Sequence, residues 1–245
     1  MTSFTLKIIA LTTMIIDHIG NLWAASIPNA FFMRCIGRVA FPLFAFMIAE
    51  GCKHTKDIKK YMLRLLVFAL ISEIPFDLFG ENININNFSE ITFLSFRYQN
   101  IFFNLFLSVF AIYIYESLKD TKLKYAGFLA FPAAAYAGFL INADYGYYAV
   151  PIIAAIYFSK NKIIRILAMV AGVAFLYLPY TGYTSFIFGY RVSYGLALFI
   201  FALIPAVLVF FYNGKRGVNI KYFFYLMYPL HLVVLAAINI FMITL

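Results

Sequence analysis

Residues 9–20 read IALTTMIIDHIG, an apolar run that carries an aspartate and a histidine side by side. The run belongs to a longer apolar stretch of the length needed for a helix that crosses a lipid bilayer. Ionisable side chains at membrane depth are costly, and they usually have a partner or a function. The stretch therefore predicts a membrane helix and makes Asp17 and His18 the first candidate functional residues.

The composition extends this prediction to the whole chain. Of the 245 residues, 64% are hydrophobic and only 12% are charged, whereas soluble domains are about 45–50% apolar and about 25% charged. We predict an all-α, polytopic transmembrane helix bundle that forms a single domain over residues 1–245. We expect about nine helices, near residues 4–24, 32–52, 59–79, 101–117, 124–142, 146–159, 163–180, 193–212 and 222–244.

The distribution of charge predicts the orientation in the membrane. The net charge of +9 comes from basic residues in short loops, which argues against a nucleic-acid-binding protein. These residues concentrate in alternate loops, and the positive-inside rule places such loops in the cytoplasm. We therefore expect the amino terminus inside and the carboxyl terminus outside. The residue bias is typical of an AT-rich bacterial genome, so we predict a multi-pass protein of the inner or plasma membrane.

Charged residues within the predicted helices cluster towards the outer side of the membrane. Unpaired buried charge is untenable, so we expect a neutralising network in which Asp17 pairs with an arginine of the second helix. A purely structural web of ion pairs is the alternative, although a bundle that needs only stability can use apolar packing. The members of this set are the acids Asp17, Glu73, Asp77 and Asp144 and the bases Arg34, Arg38, Arg97 and Arg191.

His18 is the candidate general base. Neighbours in a helix diverge by about 100°, so Asp17 does not orient His18, and we expect the imidazole to face a cavity. A neutral imidazole can accept a proton near pH 7. A core histidine that only satisfies its own hydrogen bonds is the alternative.

Basic residues also gather near the predicted cytoplasmic surface. Lys7 precedes His18 by eleven residues, which is about 16 Å along the same face of one helix. A basic rim suited to a polyphosphate is formed by Lys53, Lys56, Lys59, Lys60 and Arg64. Ordinary positive-inside bias is the alternative explanation for this rim.

Two further ionisable residues lie inside predicted helices. Glu50, at the inner end of the second helix, either pairs with His54 one turn later or lines the inner mouth. His231 follows Pro229, and its ring either contacts substrate or hydrogen-bonds a backbone carbonyl freed by that proline. The sequence contains no metal-ligand spacing and no nucleotide-binding or hydrolase motif, so we predict no metal.

Five segments together resemble the TraX family, which is named for acetylation of the amino terminus of conjugative pilin. They are LKIIALTTMIIDHIG (6–20), RCIGRVAFPLFAFMIAEG (34–51), YMLRLLVFALISEIPFDL (61–78), DYGYY (144–148) and YPLHL (228–232). More distantly, the spacing from Lys7 to His18 is similar to that in acyltransferase-3-type membrane acyltransferases. Lys60 and Arg64 fit a second basic element of that class.

The resemblance implies an integral membrane acetyltransferase. The enzyme would move an acetyl group from cytosolic acetyl-CoA to an acceptor amine or hydroxyl, on a pilin-like peptide amino terminus or an envelope component. The expected partners are the lipid bilayer, acetyl-CoA as co-substrate, and this acceptor. The alternative function is a proton-coupled transporter or flippase that uses the buried charges.

The resemblance also implies roles for the candidate residues. We hypothesise that His18 is the general base and that a carboxylate among Asp17, Glu73 and Asp77 assists it. Substrate binding is assigned to Arg34, Arg38, Asp144, His231 and Glu50. Acetyl-CoA binding is assigned to Lys7, Lys53, Lys56, Lys60 and Arg64.

Overall fold

The computed structural model describes residues 1–24, 26–80 and 98–243, so Arg97 of the predicted charge network lies outside the described residues. The described chain is mainly helical. Its helices are α1 (Ser3–Leu22), α2 (Ala30–Gly37), α3 (Ala40–His54), α4 (Ile58–Gly80), α5 (Ile101–Leu118), α6 (Lys124–Phe128), α7 (Ala130–Leu140), α8 (Ala149–Phe158), α9 (Lys162–Tyr177), α10 (Tyr194–Ala202), α11 (Ile204–Phe210) and α12 (Lys221–Ile243).

Five helical segments are long and apolar enough to cross a membrane, as the composition predicted. They are Ser3–Leu22, Ala30–His54, Ile101–Leu118, Lys162–Tyr180 and Tyr222–Met242. Two shorter apolar segments, Gly146–Phe158 and Tyr194–Phe210, accompany them. The protein is therefore a helical membrane protein, whereas the count of nine spans and the orientation of the termini stay predictions.

Three regions that the sequence analysis predicted as single helices are each divided in two: 32–52, 124–142 and 193–212. In every case the second helix has a proline in its first turn, namely Pro42 in α3, Pro132 in α7 and Pro205 in α11. Proline lacks an amide hydrogen, and its ring clashes with the carbonyl four residues earlier. The ring of Pro42 thus opposes a continuous helix at Arg38, which is where α2 has just ended.

The chain forms two compact units. Unit 1 comprises Met1–Glu50 and Ala155–Ile220, and unit 2 comprises Gly51–Ala154 and Lys221–Leu245. In unit 1, α1 packs on α2, and α10 packs on both α2 and α9. In unit 2, α4 packs on α5 and α12, and α5 packs on α7. The single domain over 1–245 stays a prediction.

A β-hairpin in unit 1 was not predicted from the sequence. Strand β1 (Thr184–Ile187) pairs antiparallel with β2 (Tyr190–Ser193). The two turn residues, Phe188 and Gly189, have φ values of 51° and 83°, which is the backbone of a type I′ hairpin turn. The amide of Phe188 donates to Asn29 Oδ1 at 2.6 Å. Because Asn29 directly precedes α2, this contact fixes the start of the helix that carries the two arginines.

Candidate functional site

Asp17 lies at the centre of a charge cluster in unit 1. Its carboxylate accepts from Arg34 Nη1 at 2.8 Å and from Arg38 Nη2 at 2.5 Å, so each oxygen holds one guanidinium. Arg38 Nε also donates to the carbonyl of Arg34 at 3.1 Å. The predicted pairing of Asp17 with the second helix is confirmed, and it involves two arginines rather than one.

Two glycines allow α1 and α2 to approach closely enough for this contact. A Cβ added to Gly37 would overlap the Cβ of Asp17, and a Cβ on Gly20 would lie 2.7 Å from the Cβ of Met33. Small residues at a helix interface let the backbones come together in membrane proteins. Asp17 therefore lies directly over Gly37, between the two arginines.

The helix break decides where the arginines lie. The sequence analysis put both residues at the start of one helix, 32–52, whereas Arg34 lies in the last turn of α2 and Arg38 is its C-cap. The predicted position of the two arginines was therefore wrong, because Pro42 opposes a helix that continues through Arg38. Residues four apart in a helical turn share a face, so both guanidinium groups reach one carboxylate.

The two guanidinium groups of the cluster differ in exposure. Both contact the one carboxylate of Asp17, in a setting where charge is weakly screened. The side chain of Arg34 is 30% exposed, compared with 12% for Arg38. Arg34 is therefore the more accessible group for a ligand oxygen that carries or develops negative charge.

His18 and Lys7 lie in α1 with Asp17, and both are half-buried. The helix is continuous from Ser3 to Leu22, so the predicted separation of about 16 Å between the two side-chain positions holds. His18 thus directly follows Asp17 on α1, and Arg34 and Arg38 contact Asp17 from the end of α2.

Replacing Gly37 by alanine is expected to push α1 and α2 apart. The added methyl group would overlap the Asp17 side chain, and overpacking of this kind costs about 1–3 kcal/mol. Thermal unfolding in detergent should show a lower midpoint than the wild type. Gly182→Ala is the matched control, because a Cβ at Gly182 would have nothing within 4 Å. Equal midpoints for the two variants would contradict the close helix crossing.

Glu50 has a partner that the sequence analysis missed. Its Oε1 accepts from Arg165 Nη1 at 2.6 Å, and both side chains are largely buried, at 14% and 17% exposed. The guanidinium also lies 5.9 Å from the Phe46 ring centre. Arg165 lies at the start of the predicted helix 163–180 and is in the first turn of α9. Glu50 is therefore held by an ion pair within unit 1, and its partner Arg165 lies 115 residues away in the sequence.

The residues of the basic rim all belong to unit 2. Lys53, Lys56 and Lys60 are exposed, and Lys60 lies 3.3 Å from Asp57 Oδ2. The backbone amide of Lys60 donates to Asp57, and this contact lowers the pKa of the Asp57 carboxyl below its usual value. Arg64 differs from the lysines, since it hydrogen-bonds Tyr225 and lies 5.6 Å from the Tyr61 ring centre. The lysines thus provide exposed positive charge beside an arginine held by aromatic rings.

The remaining acids are in unit 2. Glu73 is buried, and its Oε2 accepts from Asn100 Nδ2 at 2.5 Å, where the predicted network expected an arginine. Asp77 lies one turn further along α4 and is half-buried, whereas Asp144 is exposed. The predicted network is therefore divided: Asp17 pairs with arginines, and Glu73 pairs with an amide.

Two buried asparagines were missed by the sequence analysis. Asn100 caps α5, and Asn104 Nδ2 donates to the carbonyls of Asp144 and Gly146 at 2.7 and 2.9 Å. Ser108 Oγ in turn donates to the carbonyl of Asn104 at 2.7 Å. The signal was present, because Asn100, Asn104 and Ser108 recur every four residues in an apolar helix and so share one face.

His231 is buried in α12 and binds backbone. Its Nδ1 lies 2.8 Å from the carbonyl oxygen of Met227, and its ring centre is 5.5 Å from that of Tyr228. The carbonyl can only accept, so Nδ1 carries a proton and, in the neutral tautomer, Nε2 carries the lone pair. His231 therefore binds a backbone carbonyl, as the alternative expected, but it is the carbonyl of Met227 and not that of Tyr225, which Pro229 leaves without its amide donor.

Comparison with known proteins relates the chain to one family over nearly its whole length. The family model described as TraX protein matches residues 3–239. A relative named "Probable fimbrial assembly protein FimC, serogroup H1", from Dichelobacter nodosus, is 29% identical over 249 residues. The alignment covers 98% of this chain and 97% of that protein. No solved structure matches the chain.

Proposed function

The chain belongs to the TraX family, and on that premise we propose that it is an integral membrane acetyltransferase. It would move an acetyl group from cytosolic acetyl-CoA to the amino terminus of a pilin-like peptide or to another envelope amine or hydroxyl. The relative from Dichelobacter nodosus is named as a probable fimbrial assembly protein, and this name supports a pilin-like acceptor. The proposed location is a bacterial plasma membrane.

One observation carries the chemical part of the proposal. The Asp17–Arg34–Arg38 cluster holds two guanidinium groups on the carboxylate of Asp17, the residue directly before His18 on α1. Acyl transfer needs a base for the acceptor's proton and a fixed positive group for the oxyanion that forms on the acetyl carbonyl. His18 and Arg34 are the proposed base and oxyanion partner. Asp17 fixes Arg34 and Arg38 and is not required as a proton carrier.

The proposed reaction balances without any further reactant. The acceptor nitrogen or oxygen attacks the thioester carbonyl carbon, and His18 takes the proton that the acceptor loses. Arg34 stabilises the tetrahedral oxyanion. The carbon–sulfur bond then breaks, and the imidazolium of His18 returns its proton to the departing thiolate of CoA. The acetylated acceptor and free CoA are the products.

The other candidate residues receive supporting roles. In unit 2, exposed Lys53, Lys56 and Lys60, with Arg64, provide the positive charge that the phosphates of CoA require. The acceptor is assigned to the remaining polar groups of unit 2: Glu73, Asp77, Asp144 and His231.

An acetyl-transfer assay tests this function. Purified protein in nanodiscs is mixed with acetyl-CoA labelled in the acetyl group and with a peptide whose amino terminus is free. Label should appear in the peptide, and free CoA thiol should appear in equal amount. The same peptide with a blocked amino terminus and no hydroxyl side chain is the control. Absence of label from every amine and hydroxyl acceptor, with no CoA release, would reject the proposal.

One observation favours the second candidate, a proton-coupled transporter or flippase. The break between α2 and α3 lies at Arg38, and discontinuous helices with charged residues at the break are typical of transporters. Substrate uptake into proteoliposomes that depends on a proton gradient, without release of CoA, would support transport in place of acetyl transfer.

A further inference from the structure

Glu73 has one carboxylate oxygen that is buried without a donor. The residue is 7% exposed. Its Oε2 accepts from the Nδ2 and the backbone amide of Asn100, at 2.5 and 3.4 Å. Among the described residues nothing donates to Oε1, which has no solvent contact. A buried carboxylate oxygen in this state is costly, so the site calls for a donor from outside the described chain.

Asn100 is unable to provide that donor. One hydrogen of its amide goes to Glu73, and Nδ2 also donates to the carbonyl of Ala69 at 2.8 Å. Its Oδ1 accepts from the amide of Phe102 at 3.1 Å and so caps α5. A side-chain amide has two donor hydrogens, and both are in use. If Asn100 donated a hydrogen bond to Oε1, it would lose one of the hydrogen bonds that it already donates.

The same turn of α4 contains other acceptor oxygens without their usual donors. Ser72 is fully buried, and its Oγ has no partner among the described residues. Pro75 lies inside the helix, so the carbonyl of Ile71 lacks the amide hydrogen that a residue four positions later normally supplies. A ligand with several donor hydrogens suits such a turn better than one with a single donor.

Asp17 shows the contrast. Both of its oxygens hold guanidinium groups. Glu73 has one oxygen with donors and one without a donor among the described residues. Of these two buried carboxylates, Glu73 is therefore the one whose contacts are incomplete.

We propose that Glu73 Oε1 binds the protonated amino group of the acceptor, an assignment that rests on the proposed acetyl transfer. An ammonium group has three donor hydrogens and a positive charge, so it satisfies Oε1 and offsets the buried negative charge. Before attack, the ammonium gives one proton to the Glu73 carboxylate, and the neutral amine then reacts; Glu73 loses this proton to bulk water when the product leaves. The acetylated product is a neutral amide with a single hydrogen on nitrogen. It therefore binds Glu73 less well and leaves.

Carbodiimide labelling of the wild-type protein tests the assignment without a variant. Dicyclohexylcarbodiimide is lipophilic and modifies carboxyl groups, and mass spectrometry of the peptide that contains Glu73 gives the labelling rate. The probes are n-butylamine, charged at pH 7.5, and N-butylacetamide, its neutral acetylated form. At a concentration roughly ten times its dissociation constant, butylammonium leaves about one site in eleven free. It should therefore slow the labelling of Glu73 about tenfold. N-butylacetamide should have little effect.

Other labelling results would overturn the assignment. Equal protection by the two probes would show that an apolar site, and not the charge, holds the ligand. If sodium chloride alone slowed the labelling of Glu73, the site would be one for an inorganic cation. If butylammonium did not slow the labelling, Glu73 would not bind the amine.

The acetyl-transfer assay separates this assignment from the proposed function. Glu73→Gln should raise the KM for the amine acceptor, whereas Glu116→Gln, at a partly exposed carboxyl paired with Lys119, should not change it. Acetyl transfer by the wild type with no protection by butylammonium would overturn the Glu73 assignment and leave the function standing. Protection without any transfer would support the amine site and reject the acetyltransferase.

Discussion

Replacing His18 by alanine is expected to lower acetyl transfer about 10²–10⁴-fold, the usual contribution of a general base. The half-buried side chain is removed while the Asp17–Arg34–Arg38 contacts stay, so the variant should remain folded. The measurement is the initial rate of label transfer from acetyl-CoA to the peptide acceptor, at saturating concentrations of both.

His54 offers a matched control for His18. It is exposed at the end of α3, and His54→Ala should transfer acetyl groups at the wild-type rate. Both variants should unfold at wild-type temperature, which separates lost chemistry from lost structure. Turnover by His18→Ala at the rate of His54→Ala would remove His18 from the mechanism.

Replacing Asp17 by asparagine is expected to cause a large loss of stability. The amide leaves Arg34 and Arg38 without the anion that both contact, and breaking a buried ion pair costs about 3–5 kcal/mol. For a chain of this length the loss corresponds to a fall of roughly 6–20 °C in the midpoint of thermal unfolding. Acetyl transfer should fall as well, because the guanidinium groups lose their fixed positions.

Two further variants separate charge from packing at Asp17. Asp17→Asn combined with Arg38→Leu removes one of the two cations that lose Asp17 as their anion and should recover part of the lost stability, since breaking a buried ion pair on one side is the costly change. Glu116→Gln breaks a partly exposed pair with Lys119 and should change stability by less than about 1 kcal/mol. An Asp17→Asn midpoint equal to that of Glu116→Gln would contradict a structural role for the cluster.

Part of the site was predictable because the membrane restricts what ionisable residues can do. The pairing of Asp17 with the second helix followed from the cost of a lone buried charge, and the structure confirms it with Arg34 and Arg38. The same reasoning expected an arginine for Glu73, whereas Asn100 is the partner. An amide also donates hydrogen bonds, so the need for a partner does not determine its residue type.

Other contacts were beyond sequence reasoning because they join distant segments. Arg165 and Glu50 are 115 residues apart, and the sequence offers no local signal that α9 meets the end of α3. The contact of the hairpin turn at Phe188 with Asn29 likewise joins residues 159 positions apart. Such contacts depend on which helices become neighbours.

The sequence by itself determined that this protein is a helical membrane protein of the TraX family and that Asp17 needs a partner, because apolar length and the cost of buried charge are local properties of the chain. It also contained the prolines that divide three of the predicted helices. Only the tertiary structure decided that Gly37 brings α2 within reach of Asp17 and that one oxygen of Glu73 has no donor among the described residues. Those features depend on distances between helices, which are set by the packing of side chains far apart in the chain.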